Sequence, residues 1–273
     1  MDNNCKTKYP ILLVHGTGFR DRTHLGYWGR IPKALEKDGA VLYYGRQDSW
    51  GTAEHNAQTL KRNICLILKE TKCEKLNVIA HSKGGLDMRY AISSLGIEDC
   101  IASLTTMAAP HHGVKTMDLL WKLPRFVFRF IAFFVNGWYK LLGDKKPDFF
   151  AVCRQFTTQG AALFNEQNPD SNMVYYQSYA AVMKNSFSDL LLFWTHLVIY
   201  LVEGENDGLV TPSSAQWTNF RGILKGATGR GISHADEVDV RRMNFTPKKQ
   251  PGRVSDIRDV YIEIVSDLKK LGM

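Results

Sequence analysis

A serine between an apolar strand and a pair of glycines is the residue in this chain best placed to do chemistry. The run Leu76-Asn77-Val78-Ile79-Ala80-His81-Ser82-Lys83-Gly84-Gly85 passes from strand character into small residues, and a helical pattern starts at once. A serine on such a strand-to-helix turn has its hydroxyl thrust out past the strand end, and only small neighbours fit around it. Ala80 stands where the usual Gly-x-Ser-x-Gly pattern has its first glycine, and it is still small enough for the turn. The helix that follows directs free N–H groups and positive potential at the same place. The plain alternative is a serine in an ordinary β–α turn, since a five-residue match is cheap by chance. The order of strand, turn and helix argues for Ser82 as a nucleophile.

A serine hydroxyl needs a base, and the base needs an acid to orient it. On an elbow of this kind the partners follow in the order Ser, then Asp or Glu, then His. The chain has eight histidines, and those after the elbow are His111, His112, His196 and His234. Only His234 also follows the loop Gly204-Glu205-Asn206-Asp207-Gly208-Leu209-Val210, where an acid is flanked by turn formers. Asp207 is therefore expected as the acid and His234 as the base. Each has a bland alternative, an Asn-Asp-Gly turn for the first and a surface histidine for the second. His15 and His81 precede the acid and are expected to support the site, and His111-His112 to pack around it. A tetrahedral intermediate also needs backbone donors for its oxyanion. The N–H of Lys83, directly after the nucleophile, is one. Thr17 N–H in His15-Gly16-Thr17-Gly18 is the other, where a plain glycine turn is the alternative.

These residues need elements to hold them. Strands are expected over 9–15, 40–44, 76–80, 101–109 and 172–183, with helices over 30–38, 54–70, from 83 through Ser94, over 190–202 and in the last segment, where Ser255 is the expected cap. Repeated β-α-β units imply parallel strands, right-handed crossovers and a sheet covered on both faces. The fold class expected is α/β, an α/β-hydrolase fold with a mostly parallel sheet. The whole of 1–273 forms one domain, and an insert at about 116–145 interrupts it.

Four stretches in register resemble the bacterial true lipases, a triacylglycerol lipase family. They are Tyr9-Pro10-Ile11-Leu12-Leu13-Val14-His15-Gly16, Ala80-His81-Ser82-Lys83-Gly84-Gly85, Glu205-Asn206-Asp207-Gly208-Leu209-Val210 and His234-Ala235-Asp236-Glu237-Val238. The resemblance spans nearly the whole chain and is weakest in the insert. It implies the same triad of Ser82, Asp207 and His234 and the same donors, Thr17 and Lys83. It also implies a structural calcium ion held by Asp236, two positions after the histidine, and by Asp189 upstream of the acid. Carboxylates and carbonyls suit Ca²⁺, and such an ion would pin the histidine loop. A solvated loop acid is the alternative for Asp236. The chemistry itself needs no cofactor.

The insert, from about Thr116 to Leu142, carries Trp121, Phe126, Phe128, Phe130, Phe133, Phe134, Trp138 and Tyr139, interrupted by Lys122, Arg125, Arg129 and Lys140. It is expected as one or two amphipathic helices, either packed on the core or forming a lid that opens at a lipid–water interface. The net charge is +8, but the basic residues are scattered, with short clusters only at Lys145-Lys146 and Lys248-Lys249, so a nucleic-acid partner is not expected. Five dispersed cysteines without a C-x-x-C pair suit a reducing compartment. The apolar runs 126–138 and 190–202 are shorter than the roughly 20 residues a membrane span needs. With no apolar leader at the N-terminus, the expected location is the cytoplasm, or outside the cell if a leader has been removed. Nothing in the residues speaks to oligomeric state.

The function expected is hydrolysis of a triacylglycerol-like lipid ester through an acyl-enzyme. A short-chain esterase, thioesterase or acyltransferase would use the same triad. An inactive hydrolase fold that binds lipid is the reading outside enzymes.

Overall fold

The computed structural model describes residues 3–18, 20–21, 26–246 and 251–273. The Lys248-Lys249 cluster lies outside the described residues. Six strands form one sheet: β1 Ile11–Val14, β2 Leu42–Tyr44, β3 Leu76–His81, β4 Ile101–Met107, β5 Tyr175–Ala181 and β6 Phe220–Leu224. Their spatial order is β2-β1-β3-β4-β5-β6, and every neighbouring pair is parallel.

Strands buried on both faces read as continuous apolar runs, and β1, β3 and β4 are buried at every residue. Alternate residues of β1 feed two separate cores. Ile11 and Leu13 join Trp28, Ile31, Leu35 and the face of the last helix, α10 Ile257–Lys270. Leu12 and Val14 face the opposite way, among Leu60, Ile64, Val78, Met88 and Leu104. The first core is roofed by α1 Ile31–Lys37 and α10. The second is roofed by α2 Ala53–Thr71, capped through Thr52, and by α3 Lys83–Ser94.

The site follows from this winding. From β1 the chain passes to β2 at the sheet edge, then returns to β3 on the other side of β1. The crossovers before and after β2 therefore cover opposite faces, and a crevice opens beyond the C-terminal ends of β1 and β3. His15-Gly16-Thr17 leaves β1 at that crevice, and Ser82 leaves β3 there.

Between β4 and β5 lie α4 Lys115–Leu120, α5 Arg125–Leu141, α6 Phe149–Gln155 and α7 Thr158–Gln167. Later come α8 Phe193–Glu203 and the short α9 Pro212–Ala215. The segment that starts at α4 and runs through α5 is fastened at both ends. Glu203, at the end of α8, accepts from Thr116 N and Oγ1 at 2.8 and 3.0 Å. At the other end the Asp144 carboxylate accepts from the Ser49 and Trp50 N–H groups and from Arg20, at 2.9–3.1 Å. Asp48 accepts from the N–H groups of Lys145 and Lys146. Phe128 and Ala132 of α5 face inward and are buried, while Phe126, Phe130, Phe133, Phe134 and Trp138 line its outer side and are exposed.

Local detail departs from the sequence expectations in a few places. Strand ends contract by one to three residues on several strands, where pairing stops before apolar character does. The apolar run at 190–202 begins as a 3₁₀ turn, Leu190–Leu192, and only then becomes α8. Asp256, not Ser255, caps α10, accepting from Arg258 N at 3.0 Å. β6 was not expected: it is an edge strand of half-buried and exposed residues, interrupted by Gly222, and so lacks an apolar run.

α3 packs so tightly under β1 that Gly84 has no room for a side chain. A Cβ there would lie 2.5 Å from the His15 carbonyl oxygen and 2.6 Å from that of Val14. Gly84→Ala must push backbone from backbone and is expected to cost about 2–3 kcal/mol in urea unfolding. A variant of unchanged midpoint would show that the β1–α3 approach is looser than this.

Candidate active site

Ser82 is the residue between β3 and α3, and its backbone is strained: φ is +53° and ψ is −132°. Such a conformation costs an L-residue of the order of 1–3 kcal/mol and persists only where its surroundings enforce it. Here Ser82 N–H donates to Met107 O at 2.9 Å, and Ser82 O accepts from Gly85 N–H at 3.0 Å. Gly85 in turn has Ala109 against it, at 2.7 Å from where a Cβ would stand. The first turn of α3 leaves its early N–H groups without partners inside the helix, and that of Lys83 is the nearest to Ser82 in sequence.

The loop after β1 comes to the same point. A Cβ on Gly16 would lie 2.7 Å from the Ser82 Cβ and 2.8 Å from the Tyr27 oxygen. Gly16 therefore brings the backbone leading into Thr17 against the serine. His15 fixes this loop from behind: its ring bonds Gly16 O at 2.8 Å and Gln47 O at 3.1 Å, while Gln47 Nε2 donates to His15 O.

Asp207 and His234 are brought together. His234 Nδ1 lies 2.8 Å from Asp207 Oδ2, and His234 N–H also donates to Asp207 O at 2.8 Å. The other carboxylate oxygen, Oδ1, accepts from the N–H groups of Leu209 and Val210, both at 2.8 Å. The Asn-Asp-Gly turn thus holds the carboxylate by its own backbone and leaves one oxygen for the imidazole. The His234 ring lies against that of His81, with centroids 4.4 Å apart, which sets it beside the residue that precedes Ser82.

Two residues without a sequence assignment complete the surroundings. Glu237 is fully buried, and its Oε2 accepts from His81 Nε2 at 2.9 Å. His81 Nδ1 lies 2.6 Å from the Tyr27 hydroxyl, whose oxygen accepts from Gly16 N–H. Burial, then the adjacent Asp207 charge and a hydrogen bond to it, push the Glu237 carboxyl well above the usual range. Burial and the nearby His234 hold the His81 imidazole well below the usual histidine range. Tyr27, His81 and Glu237 thus form a buried polar chain beside Asp207 and His234, and burial biases each of the three toward its neutral form. Glu237 could have been noticed three positions after His234, whereas Tyr27 carries no sequence signal.

Lys83 is buried, and its side chain turns away from the reaction. Nζ donates to Asp87 Oδ1 at 2.5 Å; Asn56 then bridges Asp87 Oδ2 and Asp48 O, both at 2.8 Å. His111 is buried under Trp217 and bonded to Thr106 Oγ1 at 3.1 Å. His196 lies on α8, bonded to Ser186 Oγ at 2.8 Å.

Two clusters of side chains bear on metal binding. Among the described residues, His81, His234 and Glu237 bring ligand atoms within 4.8 Å of one another, but those atoms already bond each other, Tyr27 and Asp207. Asp189 and Asp236, the pair that the lipase resemblance assigns to calcium, also come together, and the Arg241 guanidinium lies between them. Arg241 Nε is 2.9 Å from Asp236 Oδ1, and Nη2 is 2.5 Å from Asp236 Oδ2 and 3.3 Å from Asp189 Oδ2. Ca²⁺ takes six to eight oxygen ligands. The oxygens gathered here are the two carboxylates, Ser188 O and Ser233 Oγ, and all of them are engaged by protein donors or with one another. The residues present do not fit the ion.

The family model described as palmitoyl protein thioesterase matches residues 10–225. The chain belongs to this family. It is 34% identical to a triacylglycerol lipase of Vibrio cholerae serotype O1 over 86% of this chain and 80% of that protein. It is 28% identical to triacylglycerol lipase 2 of Saccharomyces cerevisiae over 90% of this chain and 74% of that protein. Its fold matches the crystal structure of Staphylococcus hyicus lipase with a TM-score of 0.68, at 16% identity, over 97% of this chain and 98% of that one. The chain is an α/β-hydrolase of the lipase group and a carboxylic ester hydrolase. Among the described residues no helix is long and apolar enough to cross a membrane.

The raised Glu237 pKa has a measurable consequence. A carboxyl whose pKa is raised in the fold adds stability below its unfolded value and loses it as pH rises toward the folded value, because the unfolded chain sheds the proton first. Glu237→Gln keeps a donor for Asp207 and an acceptor for His81 without that titration. Its melting temperature relative to wild type is expected to climb as pH goes from about 5 to about 8. A difference that narrows over this range would mean that Glu237 is ionised in the folded protein.

Proposed function

We propose that Ser82, His234 and Asp207 cleave long-chain lipid esters through an acyl-enzyme, with the Lys83 and Thr17 N–H groups as oxyanion donors. The observation that carries this reading is a strained serine at the sheet's switch point whose chain neighbour His81 packs on a histidine paired with a buried carboxylate. His234 Nε2 takes the Ser82 hydroxyl proton as Oγ bonds to the ester carbonyl carbon, and the carbonyl oxygen becomes the oxyanion. The intermediate collapses, the C–O bond to the alcohol breaks, and imidazolium returns the proton to the departing oxygen. Water, deprotonated by His234, then attacks the acyl-serine, and the fatty acid leaves. Asp207 keeps Nδ1–H of His234 engaged, so that Nε2 is free to act as base.

The insert supports a large apolar substrate presented at a surface. The outer stripe of α5 leaves Phe126 at 71% and Phe133 at 74% exposure, and Trp194 and Leu201 of α8 are as bare. Aromatic side chains beside Arg125, Arg129 and Lys122 suit an interface between hydrocarbon and headgroups, and α5 is the lid of this reading. The family model favours a second reading, in which the scissile bond is the thioester of a long-chain acyl group.

Ser82→Ala is expected to lower kcat at least about 10⁴-fold, and Asp207→Asn by a similar factor, with near-native folding by circular dichroism. A fluorophosphonate probe labels wild type and not Ser82→Ala; equal labelling of both would remove Ser82 as the nucleophile. Rates with oxygen esters and thioesters of one acyl chain, in a series from short to long, separate the two readings. A rate that falls steadily with chain length would exclude both in favour of a short-chain esterase.

A further inference from the structure

We infer that Arg241 is the built-in cation of the catalytic histidine's loop: its guanidinium occupies the seat between Asp189 and Asp236, and the protein works without calcium there. The two carboxylates join the histidine's loop to a distant segment of the chain. Asp236 is two residues after His234 and Ser233 is one before it, so both sides of the base are fastened at this point. Asp189 precedes the turn that leads into α8, far away in sequence. It accepts from Ser233 Oγ at 2.7 Å.

Arg241 ties the three together. Its Nη2 alone reaches Asp236 Oδ2, Asp189 Oδ2 and Ser233 Oγ, the last at 3.1 Å, while Nη1 lies 3.4 Å from Ser188 O. A divalent ion bridging the same oxygens would have to stand where that nitrogen stands. Asp189 and Asp236 are each 5% exposed, so their charges need a partner close at hand, and the planar fork supplies one to both. Two neighbours reinforce the arrangement. Arg230 donates to Ser188 O, and Arg30 clasps Asp239 through Nε at 2.8 Å and Nη2 at 2.7 Å, fixing the far end of the loop. A guanidinium stays charged at any pH a protein meets. The tie therefore depends on neither free metal nor proton concentration.

Arg241 acts through the loop and touches no substrate, so it is a positioning residue. The test measures the melting temperature of the full chain and its hydrolysis of a long-chain ester, each in excess chelator and in millimolar CaCl₂. Wild type is expected to melt at the same temperature in both. Arg241→Ala leaves two buried carboxylates uncompensated and is expected to melt roughly 5–10 °C lower in chelator. CaCl₂ then fills the vacated seat, raising that melting temperature and restoring kcat more than KM. Arg241→Lys keeps the charge and loses the fork, and is expected to fall between the two. It also serves as the variant should Arg241→Ala not fold. A wild-type melting temperature that falls in chelator or climbs with CaCl₂ overturns the proposal. So does an Arg241→Ala protein that is as stable as wild type or indifferent to calcium. The thermal readout requires no substrate, so it stands apart from the assignment of the ester.

Discussion

Everything at this site depends on how closely two backbones approach at the ends of β1 and β3. The sheet reverses its winding there, so the loop after β1 and the turn after β3 share one small volume. Gly16, Gly84 and Gly85 have no space for a side chain, each blocked by Ser82, by β1 carbonyls or by Ala109. Ser82 sits at φ +53° inside that closure. An isolated turn would relax such a conformation; a turn between a fully buried strand and a helix wedged beneath the neighbouring strand cannot. The packing of both cores is what maintains the strain.

The strand-to-helix turn at Ser82 was legible because it is local: strand pattern, small residues and helix pattern lie within ten positions. Asp207 and His234 were reached by elimination along the chain, and the structure sets them 2.8 Å apart. The parallel sheet followed from alternating elements, but β6 did not, because an edge strand with Arg221, Gly222 and half its surface wet carries no apolar run. Tyr27 and Glu237 were missed for another reason. Their importance comes from burial against His81, and burial of a polar group cannot be read from its neighbours in sequence. The partner of Asp189 and Asp236 is similar: Arg241 looks like any surface arginine until the loop folds back.

The buried polar groups around Asp207 and His234 are arranged to limit charge. Glu237, His81 and Tyr27 could together carry several charges, yet burial drives each toward its neutral form, and each donates or accepts in sequence. A neutral network rigidifies without setting a second charge beside the Asp207–His234 pair. Charged pairs are kept a step away, at Lys83–Asp87 beneath the helix start and at Arg30–Asp239 beyond the histidine.

The clamps on the insert constrain how it can move. Glu203 holds one end at Thr116, and Asp48 and Asp144 hold the other, so α5 resembles a strap buckled at both ends and not a flap on a single hinge. A strap can roll about its long axis or bow outward, but cannot swing away without undoing carboxylate-to-amide bonds. Its inner face, Phe128 and Ala132, is buried beneath the strap, and its outer face carries Phe126, Phe130 and Phe133 exposed, so the two buckles hold an apolar surface on both sides of one helix.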